Sequence, residues 1–258
     1  MRTIAIIGAG NMGGSIARGL YMSALGKQYQ LVVCNRSQEK LTTLKSALPT
    51  IKTCTDNQEA IEDADIIIFA VKPWLMEQVI TNLKIKKKVI VASVAAGIST
   101  QTLAEWTSEE QPIIRLMPNT AISLFESITL LATYHTAQEQ VDEMLALFDE
   151  LGVAILIEEE KMGAATALAS CGIAYAMKYI QASMQAGIEM GIPAKQAQMM
   201  SAQCVKGAAA LLLKQENHPS AEIDKVTTPG GLTIKGVNEL DHRGFSSAII
   251  KAILASNK

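Results

Sequence analysis

The run Thr3-Ile4-Ala5-Ile6-Ile7-Gly8-Ala9-Gly10-Asn11-Met12-Gly13 sets how this chain begins to fold. Five residues of apolar strand run straight into G-x-G-x-x-G, and Ile16, Ala17 and Leu20 then follow at helical spacing. The first glycine allows the tight turn, the second lets backbone approach a pyrophosphate, and the third lets helix and strand pack closely. A glycine pattern alone is weak. Between a strand and a helix it predicts a dinucleotide-binding unit. The next strand, Gln30 to Cys34, ends in Asn35-Arg36-Ser37, where an NAD-selective site offers a carboxylate to the ribose hydroxyls. Here a guanidinium and a hydroxyl suit a ribose 2′-phosphate instead, so NADPH is expected, with NADH the less favoured alternative.

Further strand-like runs follow at Ile51 to Cys54, Asp65 to Val71, Lys88 to Val94, Pro112 to Leu116, Ser127 to Ala132 and Val153 to Ile157. Helical spacing separates most of them, which predicts an α/β fold with a doubly wound, mainly parallel sheet. After Ile157 the texture changes: Ala- and Met-rich segments from Lys161 to Met190 and Pro193 to Lys214 read as helix alone. The expected organisation is a cofactor domain over 1–157 and an all-α domain over 158–258, with Glu158-Glu159-Glu160 at a helix N-terminus. Small residues from Gly163 to Ala174 permit close helix packing, within one subunit or across a dimer.

The turn Thr227-Thr228-Pro229-Gly230-Gly231-Leu232-Thr233 stands out in the second half. Pro229 halts one helix, and Ile234, Val237 and Leu240 begin another, leaving unpaired N–H groups at a helix start where a carboxylate or phosphate binds. Such a turn also serves as an ordinary helix connection with threonine caps. Between the two ends, Ala70-Val71-Lys72-Pro73 sits at the carboxyl edge of a strand, where ligands bind; Lys72 is either a phosphate contact or a solvated lysine. Val94-Ala95-Ala96 leaves room for a flat ring, and Met117-Pro118-Asn119-Thr120 is expected beside the nicotinamide.

Composition narrows the function. With 258 residues, 49% hydrophobic and 19% charged, the chain buries a substantial core. A net charge of −2 gives no electrostatic footprint for nucleic acid or an anionic membrane. No apolar run approaches the roughly 18 residues that span a bilayer, and a cytoplasmic protein is expected. Cys34, Cys54, Cys171 and Cys204 form no C-x-x-C pair and lie far from the three histidines, so no metal site is expected and free thiols are the default.

With these motifs in this order, the chain resembles the pyrroline-5-carboxylate reductase family over nearly its whole length. The most specific part is Asp224-x-Val226-Thr227-Thr228-Pro229-Gly230-Gly231-x-Thr233, followed by Gly236-Val237 and Leu240-Asp241. The resemblance implies a Rossmann-like NADPH domain, a helical domain that makes a homodimer or higher homo-oligomer, and reduction of a cyclic imine to proline. By position it places Ile7, Gly8, Ala9, Gly10, Asn11, Met12 and Gly13 at the cofactor, with Asn35, Arg36, Ser37 and Asn57. It adds Ala70, Val71, Lys72, Pro73, Val94, Ala95, Ala96, Met117, Pro118 and Asn119. Substrate contacts map to Glu159, Glu216, Thr228, Gly230, Gly231, Leu232 and Thr233, with Thr233 expected to hydrogen-bond the ring nitrogen and relay a proton, alone or with water. The chain departs from the family at Ala121, at Ile173 and at Lys225, where substrate preference is more exposed to change than fold. Two other functions fit parts of the pattern: a hydroxy-acid dehydrogenase relying on Lys178, and a non-catalytic NADPH sensor.

Overall fold

The computed structural model describes residues 1–257. In the first part, strands and helices alternate: β1 Arg2–Ile7, α1 Asn11–Met22, β2 Tyr29–Cys34, α2 Gln38–Ala47, β3 Lys52–Cys54, α3 Asn57–Ile61, β4 Ile66–Phe69, α4 Pro73–Thr81, β5 Ile90–Ser93 and α5 Thr100–Trp106. Then come β6 Ile113–Met117, β7 Ser127–Tyr134, α6 Gln138–Asp149, β8 Gly152–Leu156 and α7 Met162–Ala169. The helices α8 Gly172–Glu189, α9 Ala194–Gln215, α10 Pro219–Val226, α11 Leu232–His242 and α12 Phe245–Ala255 complete the chain.

The eight strands form one sheet in the order β3-β2-β1-β4-β5-β6-β7-β8. All neighbours are parallel except β6 and β7. Each of the expected strands is present, and the mainly parallel, doubly wound reading holds. Period-two alternation divides the sheet between two buried layers. Ile4, Ile6, Ile66, Ile68, Ile90 and Ile114 face α1, α2 and α6, meeting Ile16, Leu20, Leu41 and Phe148. Ala5, Ile7, Ile67, Phe69, Val91 and Ile113 face α3, α4 and α5, meeting Ile61, Met76, Ile80 and Leu103. The strand order reverses at β1, with β2 on one side and β4 on the other, which opens a crevice beyond their carboxyl ends.

By packing, the first unit runs from Met1 to Ser170 rather than ending at 157. The reason is α7: Met162 is fully buried in a small cluster with Met117, Leu130 and Ala132 of β6 and β7. The acidic triplet forms a 3₁₀ turn over Glu159–Lys161 before α7, and Lys161 pairs with Glu158 at 2.6 Å. The helical stretch expected across Lys161 to Met190 is interrupted at Ser170-Cys171, where α8 opens on Gly172.

The second unit begins at Cys171 and is wholly helical. Its helices α8 and α9 meet where a Cβ on Gly187 would stand 3.1 Å from that of Ala197. Tyr175 and Tyr179 of α8 reach α12, the first by a hydroxyl hydrogen bond to Ser256 and the second by an edge-to-face ring contact with Phe245 at 6.3 Å. Among the described residues of this unit, Ala197 is the one hydrophobic side chain that is buried. Met190, Met199, Leu213 and Leu254 are 64–77% exposed, a distribution that an isolated helical bundle does not show. Among the described residues, no helix is long and apolar enough to cross a membrane.

Candidate active site

The crevice at the strand-order reversal is a cleft of about 1390 Å³ whose walls are the loops leaving β1, β2, β3, β4 and β5. At its centre the glycines divide the work. Gly8 adopts φ 110°, and a Cβ there would stand 2.7 Å from the Ala70 carbonyl oxygen. A Cβ on Gly13 would meet the Gly8 carbonyl oxygen at 1.9 Å, so Gly13 serves the packing of α1 on β1. A Cβ on Gly10, in contrast, meets no atom within 4 Å: it would project into open space at the start of α1. That helix has no side-chain cap and no acidic residue in its first turn, so its early N–H groups and positive dipole end face the cleft. An anionic pyrophosphate fits these donors, and a side chain at Gly10 would occupy its place.

Gly10→Val is therefore expected to fold normally but to weaken NADPH binding about a hundredfold, the loss of roughly two charge-assisted hydrogen bonds. Gly13→Ala is expected instead to cost about 3 kcal/mol of stability through overpacking. Calorimetric titration with NADPH beside thermal melts separates the two; equal affinity in wild type and Gly10→Val would remove the pyrophosphate from this loop.

Asn35 braces the neighbouring turns. Its Oδ1 accepts the Ala9 N–H at 3.1 Å and its Nδ2 donates to the Ser37 carbonyl at 3.2 Å, tying the glycine loop to the start of α2. The Cys34 thiol donates to Asn57 Oδ1 at 3.0 Å. Burial pushes this thiol up to about 12, with Cys54 and the carboxylates of Asp56 and Glu59 adding to the shift, so Cys34 stays protonated and inert at neutral pH. Lys72 precedes α4 and Pro73 without making a side-chain cap bond, and its ammonium lies 5.9 Å from the centroid of the exposed Trp74 ring.

Most sequence-assigned cofactor residues share the cleft: Ile7, Gly8, Gly10, Asn11 and Met12; Asn35, Arg36 and Asn57; Ala70 to Pro73; and Val94 to Ala96. Others stand behind the wall. Ala9 is held by Asn35, Gly13 lies under Gly8, and Ser37 is the residue before α2. Met117 is buried in the α7 cluster. Asn119 is also buried: its Oδ1 accepts the Ala121 N–H at 3.0 Å and its Nδ2 donates to the Ala169 carbonyl at 3.4 Å. It thus braces the segment from Pro118 onward, and Thr120 is the member of that motif on the cleft wall.

Sequence reading missed Arg115. It lies on β6, buried, with Nη1 2.6 Å from Glu159 Oε1. The same oxygen accepts the Thr100 N–H at 3.4 Å, while Glu159 Oε2 and Arg115 Nε are buried without a protein partner. Glu159, expected as a substrate contact, is thus engaged by a guanidinium. The signal was present: a single charge inside the apolar strand Ile113-Ile114-Arg115-Leu116-Met117 requires a buried counter-charge.

In the second unit, Gly231 precedes α11 with no side-chain cap, and the first turn carries no acidic residue. Gly230 adopts φ 72° and the Gly231 N–H donates to the Thr228 carbonyl at 3.0 Å, closing the turn. The donors left free at the helix start are consequently those of Leu232, Thr233 and Ile234 rather than of Gly231. A Cβ on Gly231 would stand 2.7 Å from Thr228 Oγ1. Thr228, Leu232 and Thr233 are all exposed. The Thr227 hydroxyl, in contrast, is spent on the Ile223 carbonyl at 3.0 Å. Glu216 follows α9 in the left-handed conformation, φ 54°, and is exposed. Lys225 pairs with Glu222 at 2.5 Å, which holds that carboxyl below its usual range. Lys178 is exposed and donates to Gln181 at 2.9 Å.

A sheet of this order with a glycine loop at its switch point, joined to a helical unit, defines a nicotinamide-dependent oxidoreductase. Residues 159–258 match the family described as pyrroline-5-carboxylate reductase dimerisation, and residues 3–97 match that described as NADP oxidoreductase, coenzyme F420-dependent. Pyrroline-5-carboxylate reductase 2 of Dictyostelium discoideum is 40% identical, over 99% of this chain and 91% of its own. The solved 1-pyrroline-5-carboxylate reductase of Streptococcus pyogenes is 32% identical with a TM-score of 0.86, covering 99% of this chain and 98% of that one. A Plasmodium falciparum pyrroline carboxylate reductase solved with NADP bound shares the fold at a TM-score of 0.87 and 24% identity, covering 99% of this chain and 95% of that one. The chain belongs to the pyrroline-5-carboxylate reductase family.

Proposed function

We propose that this chain reduces 1-pyrroline-5-carboxylate to L-proline with NADPH, the last step of proline biosynthesis, and that it acts as a homodimer or higher homo-oligomer. The observation that carries the reading is the pairing, in one chain of this family, of a dinucleotide cleft with the uncapped start of α11 and the exposed Thr228 and Thr233. The substrate's carboxylate suits the free N–H groups of Leu232, Thr233 and Ile234, with Gly230 and Gly231 leaving room for it. When bound, NADPH supplies a hydride to the imine carbon. The protonated imine is the better acceptor, and we assign the Thr233 hydroxyl to hydrogen-bond the ring nitrogen and relay a proton, with water sharing that role because threonine is a weak acid. Holding the substrate by its carboxylate fixes which carbon faces the cofactor, so that orientation supplies much of the rate. Glu216, Gly231 and Thr228 shape the turn around it. Glu159, paired with Arg115, is not held as a free charge.

The apolar surfaces of the second unit are where a second copy would pack, consistent with the dimerisation family that residues 159–258 match. Four unpaired cysteines suit a reducing compartment, and we assign the enzyme to the cytoplasm. The test is NADPH consumption coupled to proline formation when the purified chain is given pyrroline-5-carboxylate, with NADH in parallel. A folded chain that binds NADPH and leaves this imine untouched would refute the assignment.

A further inference from the structure

We propose that Lys40 is a second cation for the ribose 2′-phosphate, acting with Arg36 to set cofactor preference, an inference that rests on the NADPH reading above. Both side chains line the adenosine end of the cleft, and neither has a carboxylate partner among the described residues. Lys40 lies in the first turn of α2, and Ser37, the residue before that helix, makes no cap bond with its hydroxyl. Two cations are needed on charge grounds: a phosphate monoester carries about −1.5 to −2 at neutral pH, so one guanidinium leaves it half compensated. Arg36 offers a planar fork and Lys40 a mobile point charge, which together suit three phosphate oxygens.

The cleft lining holds one carboxylate, Asp56, the residue type that favours a free ribose 2′-hydroxyl. It is committed elsewhere. Its Oδ1 accepts the backbone N–H groups of Gln58 at 2.7 Å and Glu59 at 3.1 Å, capping α3. The acid that would select NADH is held as a helix cap, and the two cations lining the same cleft have no carboxylate partner among the described residues.

The experiment is calorimetric titration of the full chain with adenosine 2′,5′-bisphosphate and with 5′-AMP, which differ only in the 2′-phosphate. Lys40→Met is expected to weaken the bisphosphate about tenfold and to leave 5′-AMP within about twofold, with Lys40→Arg restoring most of the loss. The salt dependence of bisphosphate binding should also become shallower in Lys40→Met. Equal weakening of both ligands, or none for the bisphosphate, overturns the role of Lys40. A wild-type chain that does not distinguish the two ligands overturns instead the NADPH preference on which the proposal stands.

Discussion

Thr233→Ala is expected to lower turnover about a hundredfold, the lower end of what positioned proton transfer contributes, while NADPH affinity stays within about twofold of wild type. The separation follows from where the residue lies. Thr233 is the second residue of α11, exposed, in the helical unit, whereas every wall of the dinucleotide cleft belongs to the unit ending at Ser170. Removing one exposed hydroxyl leaves the Leu232, Thr233 and Ile234 N–H groups in place, so substrate affinity should fall much less than turnover. Thr233→Ser, which keeps the hydroxyl, should recover most of the rate. Single-turnover rates at saturating imine, set beside a direct NADPH titration, decide the matter. Wild-type turnover in the alanine variant would take Thr233 out of the chemistry and leave water as the proton source.

Arg115→Met is expected to cost about 3 kcal/mol of stability, the lower end for breaking a buried pair, because it strands the partly buried Glu159 carboxylate, whose Oε2 already has no protein partner. For a chain of this size that is a fall in melting temperature of roughly 10 °C. Glu159→Leu should cost a similar amount by stranding the guanidinium. The double variant Arg115→Met/Glu159→Leu should lose less than the sum of the two, since it removes both charges and strands neither. Melts of all three variants give the coupling directly. Additive losses would mean that the two groups do not stabilise each other.

Much of this structure can be read from the residues, and the unread parts have physical causes. The sheet was legible because its strands are buried on both faces and appear as short apolar runs closed by Gly, Pro or Asn, as in Ile66–Phe69 ahead of Ala70-Val71-Lys72-Pro73. The cofactor cleft was legible because the glycine loop fixes which strand ends converge. The end of the first unit was not, because Met162, Ala165 and Ala169 of α7 carry the same Ala- and Met-rich texture as the helices after them; only the third dimension shows that they pack with Met117, Leu130 and Ala132 of β6 and β7. Asn119 illustrates a different limit. Its polar side chain beside a strand end suggested a ligand contact, yet it is consumed by the backbone of Ala121 and Ala169. Sequence supplies the donor and acceptor without saying who takes it. The Arg115–Glu159 pair joins residues far apart in the chain, and nothing local to either names the other.

A helical unit in which Ala197 is the one buried hydrophobic side chain among those described cannot draw its stability from its own interior. Its folding free energy must come largely from association, and by mass action such a protein melts at a temperature that climbs with its own concentration. Dilution would then act on it as a denaturant does on a self-sufficient domain: below the dissociation midpoint, the helices that carry Thr233 would loosen while the sheet and its cleft went on binding NADPH.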